Sequence, residues 1–366
     1  MKILLTHSDP ELPSRESIDL WRIIRPFREL SKHVDWQIDH QSYLVDHTLI
    51  SKKTGKVPTE KLVKELDRLG SYDIIWTSYF PDAVLFDAMM FMSRKYGTKF
   101  VLDVDDDMFN VPKSNPIWKT KDIKKNLPQL QYCIENTPYL VTSSEILHHA
   151  YQRRRGNPTL LFPNYIGQGY KHKPFDNGDK VVISFFGSVS HEADLVETGF
   201  LEALKLIMKK YKHVHAGSVG LEVKGLPKNR YTFHPGKPGQ AWIDEVWPHI
   251  NCDVAVAPLI DTHFNRCKTN IKWLETAMIP AAFIGSNIPP YKGTVRPNVD
   301  GFLVNNTVDS WYKALEDVAI NKLLRLKLAM NAHEAVEQSW SIENNWDKLQ
   351  TLVETIQRDE SATIPE

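Results

Sequence analysis

The stretch that decides the fold is residues 253–286, DVAVAPLIDTHFNRCKTNIKWLETAMIPAAFIGS. It begins and ends with short apolar runs, DVAVAPL and AAFIGS, which have the length and composition of buried strands. The segment between them has helical periodicity, because Ile271, Leu274 and Met278 repeat on one side. A strand, a helix and a second strand in this order are typical of a parallel α/β sheet.

The same alternation extends over the rest of the chain. In the first half, helix-like segments separate the apolar runs KILLT, DIIWTS, KFVLDV, YLVTSS and TLLFPN, and one of them, AVLFDAMMFMSRKYG, ends at a glycine stop. After a polar stretch near residues 165–178 the runs resume as VVISFFG, VHAGSVG, DVAVAPL, AAFIGS and GFLVNN. We therefore predict two doubly wound, Rossmann-like domains facing a cleft, over residues 1–168 and 169–335. A helical segment over residues 336–366 is expected to pack back toward the first domain.

Composition and charge exclude several classes of protein. The 45 basic and 45 acidic side chains cancel, which argues against broad adhesion to nucleic acid or to an anionic membrane. No apolar run approaches the roughly 18 residues of a membrane span, and the opening MKILLTHSD becomes polar too early for a signal peptide. We therefore expect a cytoplasmic location. Three widely spaced cysteines favour reduced thiols over a disulfide framework or a zinc site.

The central segment also carries charged side chains at helical spacing. If the helix begins at Lys268, then Lys272 and Glu275 lie on the same face, apart from the apolar stripe. Arg266 and Lys268 beside the helix N-terminus would attract a diphosphate, and Glu275 would accept hydrogen bonds from ribose hydroxyls. The alternative is a solvated face on which Lys272 and Glu275 pair with each other.

Several segments resemble one family when they are taken together. The run APLIDTHFNRCKTNIKWLETAMIPAAFIGSNIPPY, followed by VDGFLVNN, resembles the donor-binding core of GT-B glycosyltransferases of the "glycosyl transferases group 1" type. The segments SFFGSVSHEADL, VLDVDDDMFNVPKSNP, LVTSSEILHHAYQRRRGNPTLLFPNYI and RIIRPFREL resemble other segments of that family in the same order. Together they cover most of residues 1–305.

The resemblance implies a metal-independent enzyme that moves a hexosyl or pentosyl group from a nucleotide diphosphate-sugar to a hydroxyl acceptor. Retention of anomeric configuration is implied, with the nucleotide-sugar as co-substrate and no cofactor required. Two positions depart from the family pattern: Cys267 replaces the earlier of two glutamates, and Ile279 replaces a small residue. The implied donor-binding residues are Gly187, Ser188, His191, Arg266, Lys268, Asn270, Lys272, Glu275 and Tyr291.

Aspartates crowd the end of the predicted strand KFVL. Asp105, Asp106 and Asp107 are the catalytic candidates, as a general base or as an acceptor that orients the incoming hydroxyl. Asp103 and Asp105 would alternatively hold a hard cation, or the run would cap the following turn. Arg22, in the first helix, either reaches the cleft or remains a surface charge.

Two classes of acceptor are compatible with the sequence. The resemblance favours a cell-surface glycan or its lipid-linked precursor, while a hydroxylated base in viral DNA is a possible acceptor. Two other functions suit the same scaffold. A nucleotide-sugar epimerase would convert the donor alone, and a non-catalytic sugar-nucleotide-binding protein would bind it without turnover.

Overall fold

The computed structural model describes residues 1–6, 18–41, 44, 59–78, 82–119, 121–167, 177–279 and 281–359. Most of the polar stretch predicted at residues 165–178 lies outside these ranges. The chain divides into two compact units. The first comprises Met1–Phe109, Lys121–Pro163 and Asn345–Glu366, and the second comprises Asn110–Thr120 and Asn164–Asn344. The predicted domain limits at residues 168 and 335 stay predictions.

The first unit contains a parallel sheet of six described strands in the order β2-β1-β3-β4-β5-β6. Its inner strands are buried, so they read as nearly continuous apolar runs. The elements are β1 (Lys2–Thr6), α1 (Arg25–Leu30), β2 (Gln37–Gln41), α2 (Thr59–Leu69), β3 (Ile74–Ser78), α3 (Ala83–Tyr96), β4 (Lys99–Val104), α4 (Lys121–Asn136), β5 (Tyr139–Thr142), α5 (Glu145–Gln152) and β6 (Thr159–Leu161).

Local signals fix the ends of α3. The Asp82 carboxylate accepts a hydrogen bond from the Leu85 amide at 2.9 Å and so caps the first turn. Gly97 ends the helix with a φ of 76°, a left-handed conformation that glycine adopts at little cost. The predicted glycine stop is confirmed.

A C-terminal helix, Trp346–Arg358, belongs to the first unit. The Trp346 indole stacks on the His33 imidazole with ring centroids 4.1 Å apart. Beyond the end of the helix, the Lys99 ammonium donates to the Asp359 carbonyl at 2.8 Å. These contacts hold both ends of the helix against the first unit.

The second unit contains another parallel sheet of six described strands, in the order β12-β11-β10-β7-β8-β9. Short helical turns over Gly239–Ala241, Trp242–Val246 and Trp247–His249 connect β9 with β10. The elements are β7 (Val181–Phe186), α6 (Glu192–Glu197), α7 (Phe200–Lys210), β8 (Val214–Val219), β9 (Tyr231–His234), β10 (Val254–Ala257), α8 (His263–Arg266), α9 (Ile271–Ala277), β11 (Ala282–Ser286), β12 (Phe302–Val304), α10 (Val308–Ile320) and α11 (Lys322–Ser339).

These two parallel α/β sheets confirm the predicted fold class. The sequence did not reveal β2 and β9, which lie at sheet edges and carry the polar sequences QIDHQ and YTFH. No residue of either strand is buried, so neither strand needs an apolar run. Among the described residues, no helix combines the length and apolar character needed to cross a membrane.

Candidate functional site

The candidate site lies at the carboxyl ends of β7, β10 and β11, which are adjacent in the second sheet. Loops that follow such strand ends converge, and ligands of open parallel sheets bind there. One three-way contact fixes two of the loops. The Leu259 amide donates to the Ser286 hydroxyl at 2.9 Å, and the Asn306 amide donates to the Leu259 carbonyl at 2.8 Å. Ser286 and Asn306 bond each other at 2.7 Å, so the loops form a rigid frame.

A tight turn follows β7. A Cβ atom on Gly187 would lie 2.6 Å from the Phe185 ring, so a larger residue at this predicted donor-binding position would displace that ring. Gly220 packs against the same turn, because its own Cβ would lie 2.6 Å from the Gly187 carbonyl oxygen. Ser188 caps the next turn by accepting from the Ser190 amide at 3.4 Å. The backbone of this loop is therefore held close to the sheet.

His191 is oriented by Asp194, one helical turn later. The imidazole Nδ1 lies 2.8 Å from the Asp194 carboxylate. Because a carboxylate only accepts, Nδ1 carries the proton and Nε2 is left as an acceptor. Burial lowers the pKa of His191, and the ammonium groups of Lys268 and Lys272 lower it further against the opposing effect of Asp194. At neutral pH the ring is therefore uncharged.

Asp194 also connects the loop after β7 with the loop after β10. Its second carboxylate oxygen accepts from the Ile260 amide at 2.8 Å and from the Asn265 side chain at 3.1 Å. Asp194 and Asn265 are both buried. They were not predicted as site residues, although the three-residue spacing of His191 and Asp194 is a signal for a paired histidine.

The central helix α9 begins at Ile271, so the prediction of a helix from Lys268 is wrong. Thr262 caps the separate short helix α8 by accepting from the Asn265 amide at 3.2 Å. Lys268 lies between the two helices, with its ammonium 4.5 Å from the Phe264 ring centroid. Lys268 therefore does not lie on the same helical face as the glutamate of α9.

Glu275 is buried, with 3% of its surface exposed, so the alternative is wrong about solvation, although the Lys272–Glu275 pair that it predicted is present. One carboxylate oxygen accepts from the Trp242 indole nitrogen at 3.2 Å. The other accepts from the Lys272 ammonium at 3.2 Å. Trp242 was not predicted, because its indole reaches Glu275 from a different loop, across 33 residues of sequence.

Asn270 precedes α9 and is buried, with 5% of its surface exposed. Among the described residues its side-chain Nδ2 has no hydrogen-bond partner. An unsatisfied buried donor costs about 1–3 kcal/mol of stability. The Asn270 Nδ2 atom is therefore available to donate a hydrogen bond to an acceptor atom of a ligand.

Tyr291 follows β11 and is buried, with its ring 5.1 Å from that of Phe283. Burial raises the pKa of the Tyr291 phenol, and the negative charges of Asp194 and Glu275 raise it further. The tyrosine is therefore neutral and able to act as a hydrogen-bond donor.

Arg266 differs from the other predicted donor-binding residues because it already has a carboxylate partner. Its Nε and Nη2 atoms lie 2.5 and 2.8 Å from the two oxygens of Asp261. The pair is exposed to solvent. A diphosphate role for Arg266 stays a prediction, and it requires a ligand to compete with Asp261. Beside it, the Cys267 thiol is buried, 3.7 Å from the His263 imidazole.

The aspartate run lies in the first unit, where Asp103 is paired with Arg22. The guanidinium donates to the two Asp103 oxygens at 2.8 and 3.1 Å, and both side chains are buried. Burial raises the pKa of Asp103, and Arg22 offsets part of that effect. Arg22 is therefore neither a surface charge nor an open cleft residue, and its guanidinium occupies the oxygens that the cation hypothesis assigned to a metal.

The remaining aspartates of the run have different surroundings. Asp105 and Asp106 are half-buried, and their backbone carbonyls accept from Ser143 at 3.0 Å and Tyr151 at 3.1 Å. Asp107 is buried, and its carboxylate accepts from the backbone amide two residues later at 3.2 Å. The last contact is the turn-capping arrangement that the sequence offered as an alternative. The catalytic roles of these aspartates stay predictions.

No family model and no curated protein matches the chain at a significant level. Among solved structures, Alr3699/HepE from Anabaena in complex with UDP is 14% identical, with a TM-score of 0.66 over 97% of this chain and 100% of that chain. Sucrose-phosphate synthase from Thermosynechococcus elongatus is 13% identical, with a TM-score of 0.61 over 97% and 99%. A glycosyltransferase from Rickettsia africae is 13% identical, with a TM-score of 0.59 over 98% and 100%. The chain thus has the GT-B fold of glycosyltransferases, as the sequence resemblance predicted.

Proposed function

We propose that this chain is a glycosyltransferase that moves a sugar from a nucleotide diphosphate-sugar to a hydroxyl acceptor. The observation that carries the proposal is the buried carboxylate of Glu275, held by two donors near the strand ends. Burying a carboxylate costs free energy, and chains retain such groups where they are paired or bind a ligand. Alr3699/HepE, with the same fold, has been solved in complex with UDP-glucose.

The nucleotide of the donor would bind both the acidic group and the hydrogen-bond donors of the site. Ribose hydroxyls would donate to the Glu275 carboxylate. The diphosphate would accept from the Asn270 amide, which has no other partner among the described residues, and from the ammonium groups of Lys268 and Lys272. Both lysines already act on the pKa of His191, so their charge reaches the end of β7.

Catalysis would come mainly from electrostatic stabilisation. Negative charge develops on the diphosphate as the sugar leaves, and fixed donors around it lower the barrier without reorganising. Lys268 and Lys272 supply positive charge there. The uncharged His191, with Nε2 as an acceptor, would receive a hydrogen bond from a sugar hydroxyl.

The acceptor side of the reaction is proposed from the aspartate run. Asp105 or Asp106 would orient the incoming hydroxyl or remove its proton. We propose a hexosyl or pentosyl group as the sugar, and a glycan or its lipid-linked precursor as the acceptor, with retention of configuration. A nucleotide-sugar epimerase and a non-catalytic binding protein are the competing functions.

Nucleotide binding tests the donor site directly. We expect one of UDP, GDP, CDP, dTDP and ADP to raise the melting temperature of the wild type by mass action. Glu275→Gln keeps an oxygen for Trp242 but removes the charge, so that nucleotide should bind at least about tenfold more weakly. Glu202→Gln, an exposed residue of α7, is the control and should bind like the wild type. A panel without any stabilisation, or equal binding to Glu275→Gln, would contradict the proposal.

Turnover of the donor alone separates the three functions. During prolonged incubation a transferase should slowly release free sugar and nucleoside diphosphate, because water replaces the acceptor. An epimerase would change the sugar and release nothing, and a binding protein would leave the donor intact. Chromatography of the reaction mixture distinguishes these results, and either of the last two would overturn the proposed activity.

A further inference from the structure

Helix α11 exposes large apolar side chains to solvent on one side. Leu323 and Met330 have 80% and 70% of their surface exposed, and Leu326 is exposed as well. At about 100° per residue, these three positions lie within about 60° of one another around the helix axis. They form one line, here called the exposed stripe of α11, and the exposed Ile320 directly precedes the helix. Contiguous exposed apolar side chains commonly mark a surface that docks on a partner or a membrane.

The opposite side of α11 is packed, so the exposed stripe is fixed in place. Leu328, Ala332 and Val336 are completely buried on that side. The Asn321 side-chain oxygen accepts from the Leu324 amide at 3.0 Å and caps the first turn. The helix is therefore anchored along its inner side and holds the stripe outward.

The segment that carries the stripe is basic. Residues 318–333 contain three basic side chains and no acidic one, in a chain whose 45 basic and 45 acidic side chains cancel. Lys322 and Lys327 are exposed, and each lies about 40° from one edge of the stripe around the helix. Arg325 instead holds the turn before α11, where its guanidinium donates to the Val318 carbonyl at 2.6 Å. The stripe therefore lies between two exposed lysines.

We propose that the first half of α11 docks on an anionic lipid surface and lies in its interface. The apolar side chains would enter the boundary between headgroups and acyl chains, while the lysine ammonium groups would extend to the headgroup phosphates. Glu334 and Glu337 are exposed further along the helix, and their charge keeps its second half in water. A helix of this kind lies along the surface and does not cross the bilayer.

The charges favour a lipid surface over a second copy of the chain. Two copies that met stripe to stripe would bring Lys322 and Lys327 of both together, and residues 318–333 offer no acidic counterpart. Like charges that face each other across an interface are destabilising. A stable protein interface also uses about 20–30 residues a side, many more than the stripe and Ile320 supply. An anionic lipid surface accommodates the apolar side chains and the lysines together.

Docking would bring the chain to the surface that carries a lipid-linked acceptor, yet it does not depend on the proposed function. Binding to vesicles requires neither a nucleotide nor an acceptor, so either proposal can fail without the other. Because the chain as a whole is neutral, the attraction is local to this segment, and salt should screen it.

Sedimentation of the full chain with lipid vesicles tests the proposal. The vesicles contain phosphatidylglycerol and phosphatidylcholine in equal parts, or phosphatidylcholine alone. The wild type should bind the anionic vesicles at least about thirtyfold more tightly than the neutral ones, and added salt should weaken that binding. Lys322→Gln/Lys327→Gln should lose most of this preference, because each lysine near an anionic surface corresponds to about a fivefold change in affinity.

A second pair of variants tests the apolar side chains. Leu323→Ser/Met330→Ser should bind both kinds of vesicle at least about tenfold more weakly, because less apolar surface enters the bilayer. Val84→Ser in α3 is the matched control, since Val84 is 81% exposed, and it should bind like the wild type.

Three results would overturn the proposal. The first is a wild type that does not bind anionic vesicles, and the second is equal binding by the wild type and Leu323→Ser/Met330→Ser, or equal weakening by Val84→Ser. The third is a wild-type dimer in sedimentation velocity without lipid that Leu323→Ser/Met330→Ser separates into monomers, because the stripe would then bind a second copy.

A labelled variant decides if the serine or glutamine variants do not fold. All three native cysteines are buried, so Leu323→Cys supplies an exposed thiol for a dye whose emission reports the polarity around it. With anionic vesicles the emission should shift to shorter wavelength, whereas the same dye on Val84→Cys should not change. Equal shifts at both positions, or none at Leu323→Cys, would also overturn the proposal.

Discussion

The buried pair of Arg22 and Asp103 allows a quantitative prediction. Besides its two bonds to Asp103, the guanidinium donates to the Phe162 carbonyl at 2.6 Å. The Trp76 indole donates to the same carboxylate at 3.3 Å. The pair therefore joins the helical turn Leu20–Ile24, the neighbouring strands β3 and β4, and the chain just beyond β6. Replacing Arg22 by methionine keeps much of the volume and removes every one of its donors.

Arg22→Met should lower the free energy of unfolding of the first unit by about 3–5 kcal/mol, because Asp103 is left buried with Trp76 as its remaining side-chain donor among the described residues. Domains are commonly stable by only about 5–15 kcal/mol, so the loss is large. The double variant Arg22→Met/Asp103→Leu should recover most of it, since neither buried charge remains.

Hydrogen exchange of the β4 amides, read as a function of urea concentration, reports on the first unit alone. The expected order of stability is wild type, then the double variant, then Arg22→Met. A loss of stability below about 1 kcal/mol for Arg22→Met, or a double variant less stable than Arg22→Met, would refute the reasoning. Stabilisation of the wild type by Mg²⁺ or Mn²⁺ that disappears in Asp103→Asn would restore the cation hypothesis.

Two further predictions concern the second unit. Gly220→Ala should destabilise the fold by more than about 1–2 kcal/mol in urea unfolding, because φ is +85° and the new Cβ meets the Gly187 carbonyl. Gly156→Ala is the control, since a Cβ there meets open space, and it should change stability by less than about 0.5 kcal/mol. Equal effects would contradict the close approach. The pKa of His191 is lower in the folded chain than its unfolded value of about 6.5. The stability that the neutral imidazole contributes is therefore complete above about pH 6.5 and diminishes as the pH falls toward the folded pKa. His191→Gln should therefore lose less stability than the wild type between pH 7 and pH 5 in chemical denaturation, and identical losses would show that His191 is not the titrating group.

The sequence alone was sufficient to predict the parts of the fold that depend on the local pattern of residues. Inner strands of a parallel sheet are buried on both faces, so runs such as KFVLDV and VVISFF are visible as apolar segments. The glycine stop of α3 follows from backbone conformation alone. The edge strands β2 and β9 left no such trace, because none of their residues is buried. Helical periodicity also placed the start of α9 three residues early, because the apolar pattern does not show that α8 ends at Arg266 and that α9 begins separately at Ile271.

In the candidate site, too, the sequence predicted some features and the tertiary structure decided others. Residue types and helical spacing drew attention to Lys272 and Glu275, and the family resemblance drew attention to His191. Tertiary structure decided which of those charges are buried and what they contact. Asp103 proved to be the partner of Arg22, 81 residues away, and Glu275 the partner of Trp242, 33 residues away. A one-dimensional pattern encodes burial through periodicity, but a hydrogen bond between distant strands and loops depends on the crossovers that bring them together, and only the folded chain fixes those.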